Sequence, residues 1–312
     1  MIATVTLNPS LDEWMRLPSM QVGRLNRATG FARYPGGKGL NVSRVVHELG
    51  GPTVAFGLAG GQDGAILRGL LRRLAIPHEF VEVPGATRNN YKIHTLRPPG
   101  LTEINTEGPP VTPAILRTLQ RRLFAHRPRP VCVALSGSLP PGAPAATYPR
   151  WIRALQRLQI HVALDASGAA LRAGLRARPW LIKPNRQEAE ELLGRRLTTT
   201  GGLMRAVERL AQRGPRVVIL SLGRDGALMG SASPAEMWLA RSPSIQTDSA
   251  VGAGDSLVGG FLMGWAAQRT LVEAFRLGVA CGAATAMTPG TELCHRADVR
   301  RLLRCVTLRR LA

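Results

Sequence analysis

The stretch Asp248-Ser249-Ala250-Val251-Gly252-Ala253-Gly254-Asp255-Ser256 leads directly into an amphipathic segment. Glycines just ahead of a helix let several backbone N–H groups converge on one point, and the positive end of the helix dipole adds to the field there. Gly252, Ala253 and Gly254 therefore outline an anion hole suited to phosphate oxygens. A carboxylate beside it, Asp255, can take a proton from a hydroxyl while the amides stabilise the charge on a transferring phosphoryl group. An aspartate in a first helical turn is also an ordinary dipole partner, and the spacing satisfies both readings.

Three further blocks have the same look. Pro35-Gly36-Gly37-Lys38-Gly39-Leu40-Asn41 also opens a helix, with glycines for close backbone approach, an ammonium at Lys38 and an amide at Asn41. A flexible turn explains the block as well, and its spacing is neither a Walker A loop nor a dinucleotide fingerprint. In Lys183-Pro184-Asn185-Arg186-Gln187-Glu188, Asn185 and Glu188 stand three apart at a helix start and share one side. That pair could position a hydrated Mg²⁺, and it is equally the pattern of a capping box. Ser136-Gly137-Ser138-Leu139-Pro140 follows an apolar run, where an open α/β sheet presents its ligands or simply turns.

These blocks need a scaffold, and the hydrophobic pattern supplies one. Strand-like runs at 2–7, 53–58, 131–135, 161–165 and 217–221 alternate with helical segments, which predicts a mainly parallel sheet covered on both faces. Helical periodicity is clear at Val42, Val45, Val46 and Leu49, and at Val258, Phe261, Leu262 and Trp265. Two stretches, 11–34 and 88–110, break the alternation and read as strands of a small lid on one domain.

Composition bounds the remaining classes. The chain has 312 residues, 45% of them hydrophobic and 20% charged, which excludes disordered and collagen-like classes. No apolar run is long enough to span a membrane and no signal segment opens the chain, so a cytoplasmic protein is expected. Cys132, Cys281, Cys294 and Cys305 lack zinc or redox spacing, and the six histidines lack HExxH spacing. A net charge of +21 raises the question of nucleic acid. The basic residues are scattered arginines without interleaved aromatics, and aromatics make up only 4% of the chain, so stacking recognition has little to work with. Only Lys38, Lys92 and Lys183 are lysines, which marks each as a place where a compact ammonium is wanted instead of a planar fork.

Taken in order, these blocks resemble those of the PfkB (ribokinase-like) carbohydrate kinases over nearly the full length. The resemblance rests on Thr6-Leu7-Asn8-Pro9-Ser10-Leu11-Asp12, Gly36-Gly37-Lys38-Gly39, Thr87-Arg88-Asn89-Asn90, Ser136 to Pro140, Lys183 to Glu188, Ser221-Leu222-Gly223 and Gly252 to Asp255. The opening block and the Thr87 block are similar to the phosphosugar branch of that family. The resemblance implies a ribokinase-like α/β fold and ATP-dependent phosphorylation of a ketohexose phosphate. Fructose 1-phosphate is favoured by Gly23 to Arg27 and Thr102 to Asn105, with fructose 6-phosphate and tagatose 6-phosphate as alternatives. It further implies Asp255 as base, Gly252 to Gly254 as anion hole, and Asn185 with Glu188 near Mg²⁺. Asp12, Gly37 and Asn41 would hold sugar hydroxyls, Ser138 would border the sugar, and Lys38, Arg88 and Arg27 would hold its phosphate. Lys183, Asn185, Ser221, Gly223 and Gly226 would line the ATP side. Two positions depart from the pattern: Ala250 stands where a threonine is usual and Ala166 where a hydroxyl residue is usual. The lid edges suggest a homodimer, and a basic nucleic-acid-binding protein on the same fold is the rival from another class.

Overall fold

In the computed structural model, which describes residues 1–232 and 235–311, the alternating apolar runs become strands buried on both faces. From the N-terminus the elements are β1 (Ile2–Thr6), β2 (Ser10–Leu17), β3 (Gly30–Gly36), α1 (Lys38–Glu48), β4 (Thr53–Ala59), α2 (Gly61–Arg73) and β5 (His78–Glu82). Next come β6 (Arg88–Leu96), β7 (Pro99–Asn105), α3 (Pro113–Ala125), β8 (Cys132–Ser136), α4 (Thr147–Arg157), β9 (His161–Asp165) and α5 (Gly168–Leu175). The middle of the chain continues with β10 (Leu181–Ile182), α6 (Arg186–Leu193), α7 (Thr200–Ala211), β11 (Val217–Ser221), β12 (Ala227–Ala232) and β13 (Ala235–Arg241). It ends with α8 (Ala253–Ala266), α9 (Leu271–Ala286), α10 (Arg296–Leu303) and β14 (Thr307–Arg310).

The large sheet runs β14-β13-β12-β11-β10-β9-β8-β1-β4-β5. It is parallel from β11 through β5, and β12, β13 and β14 extend it as antiparallel edge strands. The parallel part follows the sequence reading, with β9 and β11 at the expected bounds. β10 escaped it because two residues ahead of a proline carry no readable period. The two stretches outside the alternation form a second sheet, β3-β2-β6-β7.

Side-chain alternation divides the core in two. Ala3, Val5, Leu7, Val133, Leu135, Val218 and Leu220 face one layer, with Leu119, Ile152, Leu171 and Val207 from α3, α4, α5 and α7. Ile2, Cys132, Ala134, Ala163, Leu181, Val217 and Ile219 face the other, with Val42, Val258 and Phe275 from α1, α8 and α9. The same period of two places Thr6, Ser136, Asp165, Lys183 and Ser221 on the α1–α8 side at the carboxyl ends of adjacent strands. This is the edge at which open parallel sheets bind ligands.

The α1–α8–α9 layer sits close because glycines line its seams. A Cβ on Gly259 of α8 would lie 2.8 Å from Val45 Cβ of α1, and one on Gly278 of α9 would lie 2.6 Å from the Leu257 carbonyl of α8. Glycine inside a helix costs roughly 1 kcal/mol in propensity, which these backbone approaches offset. Gly278→Ala is therefore expected to lower the unfolding free energy by about 1–3 kcal/mol, read as an earlier urea midpoint with an unchanged slope. An unchanged midpoint would contradict the close approach.

Candidate active site

The anion hole is built by the entry into α8. Gly252, its N-cap, has φ 78°, and a Cβ there would press on Leu293 at 2.7 Å. A non-glycine residue would be strained on both counts. Gly254 lies against Lys183, whose Nζ would be 3.3 Å from a Cβ at that position, so an ammonium accompanies the amides. One turn in, Asp255 is buried, and the Asn41 amide of α1 donates to its Oδ2 at 2.8 Å.

Around Asp255 stand more charges than the motifs foretold. Asp165, at the end of β9, accepts from Lys38 Nζ at 3.0 Å and lies 3.6 Å from Lys183 Nζ. Lys38 also lies 3.9 Å from Glu188 Oε1. Burial, together with the neighbouring Asp165 carboxylate, pushes Asp255 up to about 6, against the pull of Lys38, the Asn41 amide and Lys183. The Asp165 carboxylate in turn holds the Lys38 ammonium above its ordinary range in spite of burial.

Asn185 and Glu188 form the capping box: Asn185 Oδ1 accepts from Glu188 N at 2.8 Å, and Glu188 Oε2 accepts from Asn185 N at 2.9 Å. The cap leaves Glu188 Oε1 facing the charged cluster, so cap and cation readings do not exclude each other. Three buried oxygens at the strand ends, Thr6 Oγ1, Ser136 Oγ and Asp165 Oδ2, have no hydrogen-bond partner. Adjacent β11 and β10 are tied above this edge by Ser221 N donating to the Pro184 carbonyl at 3.0 Å. Gly223 (φ 63°) and Gly226 (φ 94°) then turn the chain toward β12, and at Gly226 a Cβ would strike the Ala240 carbonyl.

On the side of the small sheet, Asp12 of β2 is buried and accepts from Ser10 Oγ at 2.7 Å and Asn90 Nδ2 at 3.1 Å. Arg88 donates to Asn90 Oδ1 and to the Asn8 carbonyl, both at 3.2 Å. Burial lowers its guanidinium somewhat against the pull of Asp12. Asn8 Nδ2 reaches Ser138 Oγ at 3.1 Å, which joins the small sheet to the end of β8. Gly36 allows this: a Cβ there would collide with the Asp12 carboxylate and the Ser10 hydroxyl. Gly37, with φ 119°, would bring a Cβ to 2.7 Å from Thr6.

Lys38, Asn41, Lys183, Glu188 and Asp255 gather around Asp165; Asp12 and Arg88 meet through Asn90; and Arg27 stands apart. Lys38, expected at a sugar phosphate, is bound to Asp165 and near Glu188. Asn41, expected at sugar hydroxyls, uses Nδ2 on Asp255 and Oδ1 on Arg44. Arg27 lies exposed between β2 and β3, in a connection shaped by Asn26, whose side chain bonds Gln21 N, Gln21 O and Arg24 O. Of the two departures, Ala166 is buried in the core and Ala250 is exposed, its carbonyl accepting from Ala253 N at 3.3 Å. Asp165, Asn90 and Arg44 were missed. For Asp165 the signal was an acid at the carboxyl end of a strand, which spacing alone does not flag.

A sequence profile of the pfkB family of carbohydrate kinases matches residues 5–298. The chain belongs to the pfkB carbohydrate kinase family. This kinase is 37% identical over 311 residues to the 1-phosphofructokinase of Bacillus subtilis, covering 100% of each chain. It is 34% identical over 302 residues to ATP-dependent 6-phosphofructokinase isozyme 2 of Mycobacterium tuberculosis, covering 96% of this chain and 88% of that one. Its fold is similar to the crystal structure of phosphofructokinase-2 from Escherichia coli in complex with substrates and products, with TM-score 0.92, 32% identity, and coverage of 97% and 98%. The fold is thus ribokinase-like α/β, and the protein is an ATP-dependent sugar kinase.

The state of Asp255 has a direct kinetic consequence. A base must be ionised, so kcat/KM for the sugar rises with pH through about 6. A phosphorylated substrate loses its second proton in the same range, so a mutation separates the two. Lys38→Met removes a charge that favours the carboxylate and moves the limb to higher pH, which a substrate ionisation would not do. A limb that stays in place would contradict the electrostatic coupling.

Proposed function

We propose that this kinase transfers the γ-phosphoryl of ATP to a ketohexose phosphate, with conversion of fructose 1-phosphate to fructose 1,6-bisphosphate as its preferred reaction. The observation that carries the reading is a buried Asp255, beside a glycine-built anion hole, joined through the start of α1 to the Asp12–Asn90–Arg88 network of the small sheet: Asn41 bonds Asp255, and Gly36 just ahead of α1 packs on Asp12. A carboxylate that accepts hydroxyl protons next to a guanidinium suits a sugar carrying a phosphate. The full-length likeness to a 1-phosphofructokinase favours the 1-phosphate over fructose 6-phosphate and tagatose 6-phosphate.

In this reading Asp12, the Gly37 backbone and Asn41 align the sugar, with Ser138 at its border and Arg88 on its phosphate. Arg27 joins that phosphate when the small sheet closes as a lid. The acceptor hydroxyl gives its proton to Asp255 as it attacks in line, and the amides of Gly252, Ala253 and Gly254 take up charge on the transferring group. Lys183 adds a cation at Gly254, and Ser221, Gly223 and Gly226 shape the nucleotide side with Asn185. The buried Asp165 Oδ2, without a hydrogen-bond partner, and Glu188 Oε1, which the cap does not use and which lies 3.9 Å from Lys38 Nζ, fit the few protein oxygens that a hydrated Mg²⁺ takes. When bound, that ion neutralises phosphate charge. We read the chain as one cytoplasmic kinase domain. We also propose that it pairs through the small sheet and its β2–β3 connection, which expose Phe31 and Ile104, and Val22 and Leu25.

The test is ADP release from Mg-ATP with fructose 1-phosphate, fructose 6-phosphate, tagatose 6-phosphate and fructose in parallel. Fructose 1-phosphate is expected to give the highest kcat/KM, and Asp255→Asn to lose about 10²–10⁴-fold in kcat. Arg88→Ala is expected to raise KM for the sugar phosphate and leave KM for ATP unchanged. Equal turnover of fructose and its phosphates would sink the phosphosugar assignment.

A further inference from the structure

Lys38, Asn41 and Arg44 stand three residues apart along α1 and share one face of the helix. Lys38 reaches Asp165 and Asn41 reaches Asp255, which leaves Arg44 as the member of the row that the transfer reaction does not use. Arg44 Nη1 donates to the Pro35 carbonyl at 3.2 Å and to Asn41 Oδ1 at 3.1 Å.

A guanidinium carries only donors, so the atom of Asn41 that faces Arg44 is the oxygen and the atom that faces Asp255 is the NH₂ group. Without Arg44 the amide can turn over as Asp255 picks up a proton, since its oxygen would then accept from the neutral acid. With Arg44 in place, that turn sets an NH₂ against a guanidinium. We propose that Arg44 is a positioning residue: it fixes the Asn41 amide so that Asp255 is held as an ionised acceptor by its Oδ2, leaving Oδ1 for the incoming hydroxyl.

The surroundings keep Arg44 charged for this task. Burial lowers it only to about 10, with Asp12 of β2, Tyr34 of β3, and Glu292 and Cys294 after α9 all favouring the cation. The charged groups facing Asp255 are Asp165 from β9, Lys38 from α1 and Lys183 after β10. None of these is altered by a change at Arg44 that keeps the charge. The inference rests on Asp255 being the base of the proposed reaction.

Arg44→Lys keeps the charge, but its stem is one bond shorter and withdraws the donor nitrogen that, as Nη1, holds both carbonyl oxygens. In the full-length kinase with Mg-ATP and fructose 1-phosphate, the acid limb of kcat/KM is expected to move up by about one pH unit. That lowers kcat/KM about fivefold at pH 6 and leaves it within about twofold at pH 8.5. In an Asn41→Ala background the same substitution is expected to leave the limb where Asn41→Ala alone puts it. Asn41→Leu, which keeps the side-chain shape, adds no charge and offers Asp255 no donor, is the second variant and shows the limb raised further. A limb unmoved in Arg44→Lys would overturn the inference, as would an equal shift by Arg44→Lys with and without Asn41. Turnover surviving in Asp255→Asn would overturn the base assignment and this inference with it. A dead Asp255→Asn with an unmoved Arg44→Lys limb would remove the inference alone.

Discussion

Three carboxylates, Asp165, Asp255 and Glu188, are gathered at the carboxyl edge of the sheet with almost no contact with solvent. Charges so placed cannot all stay ionised without cations among them. Lys38 and Lys183 supply those cations, and each touches Asp165. In a chain whose other basic side chains are almost all arginine, the ammonium is kept where one compact charge must stand between two acids or against the Gly254 backbone. The remaining lysine, Lys92, obeys the same rule in the small sheet, buried and 3.0 Å from Glu103 across the β6–β7 pair. The cluster leaves Asp255 proton-accepting near neutral pH and sets the Lys183 ammonium beside the Gly254 backbone.

Close backbone approach is the second requirement, and it explains why glycines fall where they do. α8 delivers Gly252 to Asp255 to the site only because Gly259 lets it press on α1 and Gly278 lets α9 press on it. Gly36 does the same at the opposite wall, where the Asp12 carboxylate occupies the volume a side chain would fill. Glycines thus bring backbone close at both walls, and the side chains between them are already paired, so little is left to order when substrates bind.

Much of this was legible beforehand. The helices that follow the two glycine clusters, the parallel strands β1, β4, β8, β9 and β11, and the irregular segments of the small sheet all carried local signals of period or turn chemistry. The edge strands β12 to β14 did not: β14 pairs with a strand far away in the chain, Trp238 opposite Arg310, which no short window contains, and β12 and β13, though neighbours in sequence, are runs with alanine and glycine among their residues and a weak strand signal. In the site, residues inside a glycine block were readable, whereas Asp165 became visible only once β9 set it between Lys38 and Lys183. Asn185 and Glu188 looked like a choice between cap and metal. A carboxylate has two oxygens, and Glu188 uses one for the cap and turns the other to the cluster.

The most direct test of this electrostatic arrangement is a ¹³C-carboxyl NMR titration of aspartate-labelled protein, with the Asp255 resonance assigned by its loss in Asp255→Asn. The arrangement predicts a midpoint of about 6 for Asp255, falling in Asp165→Asn because a neighbouring like charge has been removed. A midpoint of about 4, the value of an unperturbed aspartate, in both proteins would contradict it.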